Sequence, residues 1–457
     1  MALMINRFSF LFGLFLISFL YSCGNKDTVI PPSSPAALLP ECGDEVITGY
    51  TNKVSYFPGE EVEVFLRSKD YHDCGLGLYN IDGELVFRSR VTLSSQPASP
   101  AEPWKNGFGY KSSGRIILPS WLKSGIYYIE KKITIVVKSM ASTDVMVVYP
   151  SNTVNAYNSV GGKSLYGFNS TGSIGSTIVS FLRPMDSTIE KEECIECLKW
   201  FPSLNHVKIK YMADIDLDDY SLFQSKIIVI VGHSEYWTRK ARTNFDRFVD
   251  EGGHAIILSG NMMWWQVRYS NNNSALICYR NSELDPEIDE SMKTVLWRDP
   301  ILQYPILPSI GEDFEGGGYG LRSDNGWNGY KIFNPGSPLL EGLTFKKGDI
   351  LKLPSIECDG APIKAWDTDG FPILDNDQLQ FAKLELIGFD RGFRVRETFP
   401  TFIVMQKKAS SGIIVNAGTM DWCSPKGMGS QDSGDKIKII TRNAIDKLLQ
   451  GKNVFSD

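Results

Sequence analysis

Four segments of this 457-residue sequence gather side chains able to do chemistry, each directly behind an apolar, strand-like run. They are Asn152-Thr153-Val154-Asn155-Ala156-Tyr157-Asn158, Tyr211-Met212-Ala213-Asp214-Ile215-Asp216, His233-Ser234-Glu235-Tyr236-Trp237 and Asn261-Met262-Met263-Trp264-Trp265. The third is the densest. It sets an imidazole and a carboxylate, the groups of proton transfer, beside a phenol. Ligands of open α/β sheets bind beyond the carboxyl ends of the strands, so the four segments are expected to share one rim. Trp264-Trp265 adds two rings that could stack on a sugar, although tryptophans at a strand end more often pack a loop.

The signatures of other chemistries are missing. There is no GxSxG elbow, no HExxH, no P-loop and no GxGxxG opening a helix. Gly316-Gly317-Gly318 runs into Tyr319 rather than into a helical pattern, which makes it a loop and not a phosphate cradle. Cys194-Ile195-Glu196-Cys197 is a CxxC without a second CxxC or a histidine pair, so it reads as a local disulfide or two free thiols. Lys plus Arg number 47 against 53 Asp plus Glu, a net charge of −6, which argues against a nucleic-acid partner. Only four histidines are present, which excludes a histidine-rich metal site.

The elements that must position these residues fall into two bodies. Residues 45–143 carry short alternating runs such as Glu61-Val62-Glu63-Val64-Phe65-Leu66, broken by Pro and Gly. That pattern predicts an immunoglobulin-like β-sandwich, a scaffold rather than a catalyst. From 144 to 457 the rhythm becomes strand, loop, helix. Lys226 to Gly232 is β-branched enough for a buried parallel strand, Thr238 to Asp250 has helical spacing, and His254 to Asn261 makes the next strand. Ser411 to Ala417 returns as a late strand and Lys436 to Leu449 as a closing helix. Successive β-α-β units predict a doubly wound parallel sheet, with long β-rich insertions over 262–410.

The N-terminus supplies an address. Arg7 precedes the apolar run Phe8 to Tyr21, too short to span a bilayer, which reads as a secretory signal over residues 1–22. Its exit, Leu20-Tyr21-Ser22-Cys23-Gly24, resembles a bacterial lipobox with Cys23 as the lipidated residue. Residues 23–44, with Pro31-Pro32-Ser33-Ser34-Pro35, would then be a linker holding an exported, membrane-anchored body off the lipid. Seven cysteines remain, and the sequence leaves their pairing open.

A more specific resemblance rests on an ordered set of motifs. Val148-Tyr149-Pro150-Ser151-Asn152-Thr153, Ala156-Tyr157-Asn158 and Gly161-Gly162-Lys163-Ser164-Leu165-Tyr166 come first. Ser180-Phe181-Leu182-Arg183-Pro184, Gly232-His233-Ser234-Glu235-Tyr236-Trp237, and Gly252-Gly253 with Ser259-Gly260-Asn261 follow. Over residues 145–425 the chain resembles the C-terminal domain of the N,N-dimethylformamidase large (beta) subunit family. The resemblance implies a class I glutamine-amidotransferase-like (flavodoxin-like) fold, hydrolysis of amides, and a mononuclear iron held by two tyrosinates and a glutamate. Such all-oxygen ligands suit a hard ferric ion. By motif position it implies Tyr236 and Tyr211 as the tyrosines and Glu315, or else Glu312, as the glutamate.

In that reading the metal polarises an amide carbonyl and acidifies a water. Glu235 or His233 orients the water or shuttles its proton, and Asn158 or Asn261 holds the oxyanion. The structural alternatives are a packed aromatic at Tyr236, an ordinary strand residue at Tyr211, and a dipole-favoured carboxylate at Glu235. The expectation is therefore an exported lipoprotein that cleaves a small amide C–N bond. Its rival is a non-catalytic module binding a glycan or peptide through Trp264, Trp265 and Trp237.

Overall fold

Strict alternation along Glu61–Arg67 turns Val62, Val64 and Leu66 to one side, and that side is buried. This strand pairs antiparallel with Thr48–Thr51 and Gly114–Ile117 in a three-stranded sheet. A five-stranded sheet runs in the order Ser55–Tyr56, Ile133–Val137, Gly125–Ile129, His72–Asn80, Leu85–Leu93. Leu76, Leu78, Ile129, Ile135 and Val137 of the second sheet share one core with Val62, Val64, Leu66 and Ile116 of the first. A Cys42–Cys74 disulfide ties the entering chain to this body. The structure, a computed structural model, describes residues 39–456 apart from 187, 271, 321–327 and 354. The signal segment and Cys23 lie outside the described residues.

The second body is built on a nine-stranded sheet. Its first five strands are parallel, in the order Ile209–Ala213, Thr143–Tyr149, Ser225–His233, His254–Gly260, Ile413–Asn416. Along Thr143–Tyr149 the residues Val145, Val147 and Tyr149 enter one core while Met146 and Val148 enter the other. The strand is therefore apolar on both faces, as a parallel strand covered on both sides must be. Helices Ile195–Trp200 and Gly434–Leu449 cover the first face, the latter through Ile437, Ile440, Ala444, Ile445 and Leu448. Helix Arg239–Asp250 covers the second through Ala241, Phe245, Phe248 and Val249, and the Thr238 hydroxyl caps it by accepting from Ala241 N at 3.0 Å.

The sheet is not wholly parallel. Thr401–Gln406, Lys383–Phe389, Gly329–Ile332 and Ile350–Lys352 continue it with antiparallel pairings. The Gly- and Pro-rich region expected to be insertions thus extends the same sheet, because antiparallel neighbours need no covering crossover helix between them. The result is a mixed α/β protein made mostly of sheets.

The two bodies are packed together. Ile126 and Val136 of the first join Val145, Val147 and Tyr211 of the second in one core. At the seam Lys138 Nζ lies 2.6 Å from Asp216 Oδ1, and the Ser55 hydroxyl donates to the same carboxylate at 2.7 Å. No helix among the described residues is long and apolar enough to cross a membrane.

Candidate functional site

Three parallel strands deliver side chains to one end of the sheet. Gly232 has φ +70°, and a Cβ there would lie 2.9 Å from the Cys194 Cβ, so only glycine lets the strand end turn without strain. His233 closes that strand and Glu235 follows it, its N–H donating to the Thr153 hydroxyl at 3.0 Å. Thr153 lies on helix Ser151–Tyr157, which follows strand Thr143–Tyr149. Asp214, at the end of the neighbouring strand, holds the start of that helix by accepting from Asn152 N at 3.0 and 3.1 Å and from the Ser151 hydroxyl. The helix ends on Tyr157, and the next loop supplies Tyr166. Asn261 follows the strand His254–Gly260 with a left-handed backbone, φ +51°.

These residues meet around Glu235. The Tyr166 hydroxyl donates to Glu235 at 2.7 Å from Oε1 and 2.8 Å from Oε2, and the Tyr157 hydroxyl donates to Oε2 at 3.0 Å. His233 stands beside them with its ring centroid 5.4 Å from that of Tyr157. Its Nε2 is 3.1 Å from Glu357 Oε2 and 3.6 Å from Glu235 Oε2, and its Nδ1 is 3.7 Å from Glu193 Oε1. None of these contacts is aligned as a hydrogen bond, and one oxygen of Asn261 and one of Glu193 are also buried without a partner. The Asn261 amide nitrogen donates to Glu357 Oε2 at 2.8 Å. Unsatisfied polar atoms clustered at a strand end are unusual in a folded protein and mark a place prepared for another group.

The electrostatics follow from burial and from mutual charge. Burial disfavours a charged imidazole, yet Glu357 and Glu193 outweigh it and raise His233 well above its ordinary value. Burial also raises Glu357, but His233 and the Asn261 amide prevail and hold its carboxyl below the usual range. Glu235 and Glu193 are raised by burial. Burial, then the Glu235 charge, push the phenols of Tyr157 and Tyr166 well up, so both serve as neutral donors. Burial likewise raises Asp214, to about 7, against the donors from Ser151 and Asn152.

Of the residues expected from the sequence, His233, Glu235 and Asn261 come together here. Tyr236 is adjacent but one step removed: its hydroxyl donates to the Tyr166 oxygen at 2.7 Å and accepts from Arg280. Asn158 does not face the site. Its amide nitrogen donates to Pro184 O at 2.9 Å and its oxygen accepts from Val160 N, so it staples a loop. Tyr211 packs in the core beneath the first body, with Ser124 bonded to its backbone, in a different apolar cluster from Tyr236. Glu315 is taken up by Arg298 at 2.7 Å and Arg394 at 3.2 Å. Glu312 is fully buried and accepts from the Thr401 hydroxyl. Tyr211, Tyr236 and Glu315 therefore do not converge: Tyr211 is level with Val147 and Val229, four residues short of the strand end at His233, and its ring packs in the core there.

Trp264 and Trp237 are buried, packed edge-on against Phe314 and Phe245. They offer no face to a glycan. Trp265 is half-buried under the Arg280 guanidinium, 5.0 Å above its ring. The exposed rings near the site are others. On adjacent antiparallel strands Glu357, Tyr319 and Phe393 are direct cross-strand partners, which puts their side chains on one face. Tyr319 and Phe393 are about half exposed, and the exposed Phe168 lies 5.5 Å from Tyr166. Among the described residues five cysteines are free, Cys194 and Cys197 among them, and all five are buried thiols.

Sequence reasoning passed over Tyr157, Tyr166 and Glu357. The two tyrosines stood inside the quoted motifs, where two phenols within ten positions were the available signal. Glu357 lies in Ser355-Ile356-Glu357-Cys358-Asp359, in the region without periodicity, and nothing local distinguishes it. A second convergence of two tyrosines on a glutamate exists at Glu190, which accepts from Tyr128, Thr134 and Tyr149. Three hydroxyls satisfy it and no orphaned nitrogen stands by among the described residues, so it ties the two bodies together. Among the described residues no group of three or more His, Cys, Asp and Glu converges to hold a metal. The Glu235 site is instead two phenol oxygens on one carboxylate, a donor set that fits a hard cation.

A family model described as N,N-dimethylformamidase beta subunit-like, C-terminal, matches residues 74–429, and the chain belongs to that family. Membership points to amidohydrolase-type chemistry. No curated protein matches the sequence. Among solved structures, the β-galactosidase of Bacillus circulans sp. alkalophilus aligns at 12% identity and a TM-score of 0.34, over 69% of this chain and 32% of that one. A protein from Bacteroides uniformis described as ThuA-like aligns at 12% identity and a TM-score of 0.30, over 68% of this chain and 94% of that one. The chain thus spans about a third of the length of the β-galactosidase, and at these scores neither likeness carries fold or function across.

Proposed function

We propose that this member of the N,N-dimethylformamidase beta subunit-like family hydrolyses the C–N bond of a small amide at the Glu235 cluster. One observation carries the reading: two tyrosine hydroxyls converge on a buried glutamate beside a histidine whose nitrogens lack aligned partners. The resemblance implies iron, and Tyr157, Tyr166 and Glu235 are the residues that would hold it. When bound, such an ion would polarise the amide carbonyl and lower the pKa of a water.

The remaining work falls to the chain's own groups. Glu357, whose carboxyl His233 and the Asn261 amide hold below the usual range, accepts the proton of the attacking water at Oε2. His233, kept charged between Glu357 and Glu193, donates from Nε2 to the departing nitrogen. Asn261 orients Glu357 through its amide nitrogen. Tyr319 and Phe393, on the same face as Glu357, border the approach and contact the substituents of the amide.

The two-sheet body, residues 45–143, is read as an immunoglobulin-like scaffold, and residues 144–457 as a glutamine-amidotransferase-like domain. The whole is read as an exported lipoprotein anchored through Cys23; Cys23→Ala should abolish membrane association in cell fractionation.

The chain lacking residues 1–22, purified with iron supplied, tests the function. Expected are one iron per chain, a tyrosinate charge-transfer colour, and release of dimethylamine from N,N-dimethylformamide or ammonia from formamide. A folded protein that takes up no iron and releases no amine from a panel of small amides would sink the reading.

A further inference from the structure

Tyr236 stood in the sequence as a candidate ligand, and its hydroxyl instead occupies the middle of a directed chain of hydrogen bonds. Arginine has donors only. The Arg280 Nη2 bond to Tyr236 therefore leaves the Tyr236 oxygen as acceptor, and its own proton goes to the Tyr166 oxygen 2.7 Å away. Tyr166 in turn spends its proton on Glu235. Every donor in the series points the same way, from the guanidinium to the carboxylate.

Arg280 is built for this position. Its Nη1 donates to Leu165 O at 2.7 Å, so one guanidinium holds both the backbone before Tyr166 and the far end of the chain that reaches its hydroxyl. The same group lies 4.1 Å above the Tyr166 ring. Two unfavourable features accompany it: a left-handed backbone at φ +59° and a buried Nε without a partner. Strain and an unmet donor gathered at one residue are characteristic of functional sites. Tyr236 itself is fully buried among Ala156, Leu165, Val267 and Leu276, where only its hydroxyl distinguishes it from phenylalanine.

We infer that Arg280 and Tyr236 are positioning residues for the cation site: they orient the Tyr166 oxygen towards Glu235 and present it as a ligand atom. The inference rests on the cation reading of the preceding subsection. Partners of this kind behind metal ligands are worth about 10- to 100-fold in metal affinity.

The test uses the whole chain without residues 1–22, Fe3+ as the probe, and Tyr236→Phe, which removes one hydroxyl and no packing volume. Calorimetry should show Fe3+ binding weakened about 10- to 100-fold. The phenolate-to-iron absorption band should move to longer wavelength, because a phenolate that has lost a donor is more electron-rich. Arg280→Gln should reproduce both effects, and Arg280→Lys, which keeps a cationic donor, should recover part of each. Tyr269→Phe is the control. It removes another hydroxyl packed on the same apolar cluster, one bonded to Asn152 at 2.8 Å, and should leave affinity and band in place.

If wild-type chain binds Fe3+ and Tyr236→Phe matches it within twofold with an unmoved band, the positioning role is overturned while the cation site stands. A loss of melting temperature equal to that of Tyr269→Phe, with no band shift, overturns it equally. Wild-type chain that binds no Fe3+ removes the cation site and this inference together.

Discussion

The Tyr166 hydroxyl sits between the two oxygens of Glu235, 2.7 Å from one and 2.8 Å from the other, and the Tyr157 hydroxyl approaches the second at 3.0 Å. Burial raises this carboxyl, and a cation seated against it and the two phenols would favour its charged form. Glu235→Gln cancels that charge at nearly constant shape. It should abolish iron binding and reduce amine release by a factor of about 10^3 or more, the scale of losing a principal electrostatic group. Calorimetry with Fe3+ and single-turnover assays read the two effects separately.

Tyr157→Phe and Tyr211→Phe distinguish the assembled site from the one expected from motif position. The first should lose the tyrosinate absorption of the iron-loaded protein or weaken it severely. The second should leave iron content and absorption unchanged, since Tyr211 lies in the core with Cys197 and Tyr127 as its electrostatic neighbours. An iron-free Tyr211→Phe protein would restore the original ligand assignment.

Glu357 holds His233 charged and, in the proposed mechanism, takes the water's proton. Glu357→Gln should lower kcat by about 10^2- to 10^4-fold with little change in iron affinity. It should also bring the imidazole titration, followed by NMR, down in pH, because the largest charge raising it is gone. A titration that does not move would detach Glu357 from the histidine.

Asp214 supplies a pH signature of stability. Its carboxyl is raised from 3.8 to about 7 by burial, so the folded state binds its proton more tightly than the unfolded state does. The stability this contributes is complete below pH 3.8 and is lost as pH rises through about 7. The shift corresponds to a loss on the order of 4 kcal/mol. Asp214→Asn should therefore show a flatter decline than wild type across that interval in urea unfolding at stepped pH. Identical slopes would mean that the Asp214 proton is not linked to folding.

Tyr319 borders the site without touching its buried charges by hydrogen bond. Tyr319→Ala should raise KM for amides with bulky substituents by about 10-fold, the order of one lost ring contact, and leave formamide almost unaffected. Equal effects on both substrates would place the ring in catalysis rather than in selection.

Much of the architecture was legible because burial imposes it residue by residue. The apolar run Lys226 to Gly232 had to be a strand covered on both faces, and the spacing of Ala241, Phe245, Phe248 and Val249 had to be a helix lying on one. The alternation from Glu61 to Leu66 had to be a half-buried strand. The antiparallel extension by Thr401–Gln406 and Lys383–Phe389 was not legible, since pairing direction depends on partners far away in sequence.

The sequence by itself determined the family, through an ordered set of motifs, and the strand ends at which chemistry would gather. It named His233, Glu235 and Asn261 there. Only the tertiary structure decided which phenols meet which carboxylate. Tyr166 and Glu235 are 69 positions apart and His233 and Glu357 are 124 apart, and no local periodicity links such pairs. Position along the strand and side-chain direction then do the sorting. Tyr211 sits level with Val229, four residues short of the strand end, Tyr236 points back to Arg280, and the glutamate on which the two phenols meet is Glu235, the neighbour of Tyr236.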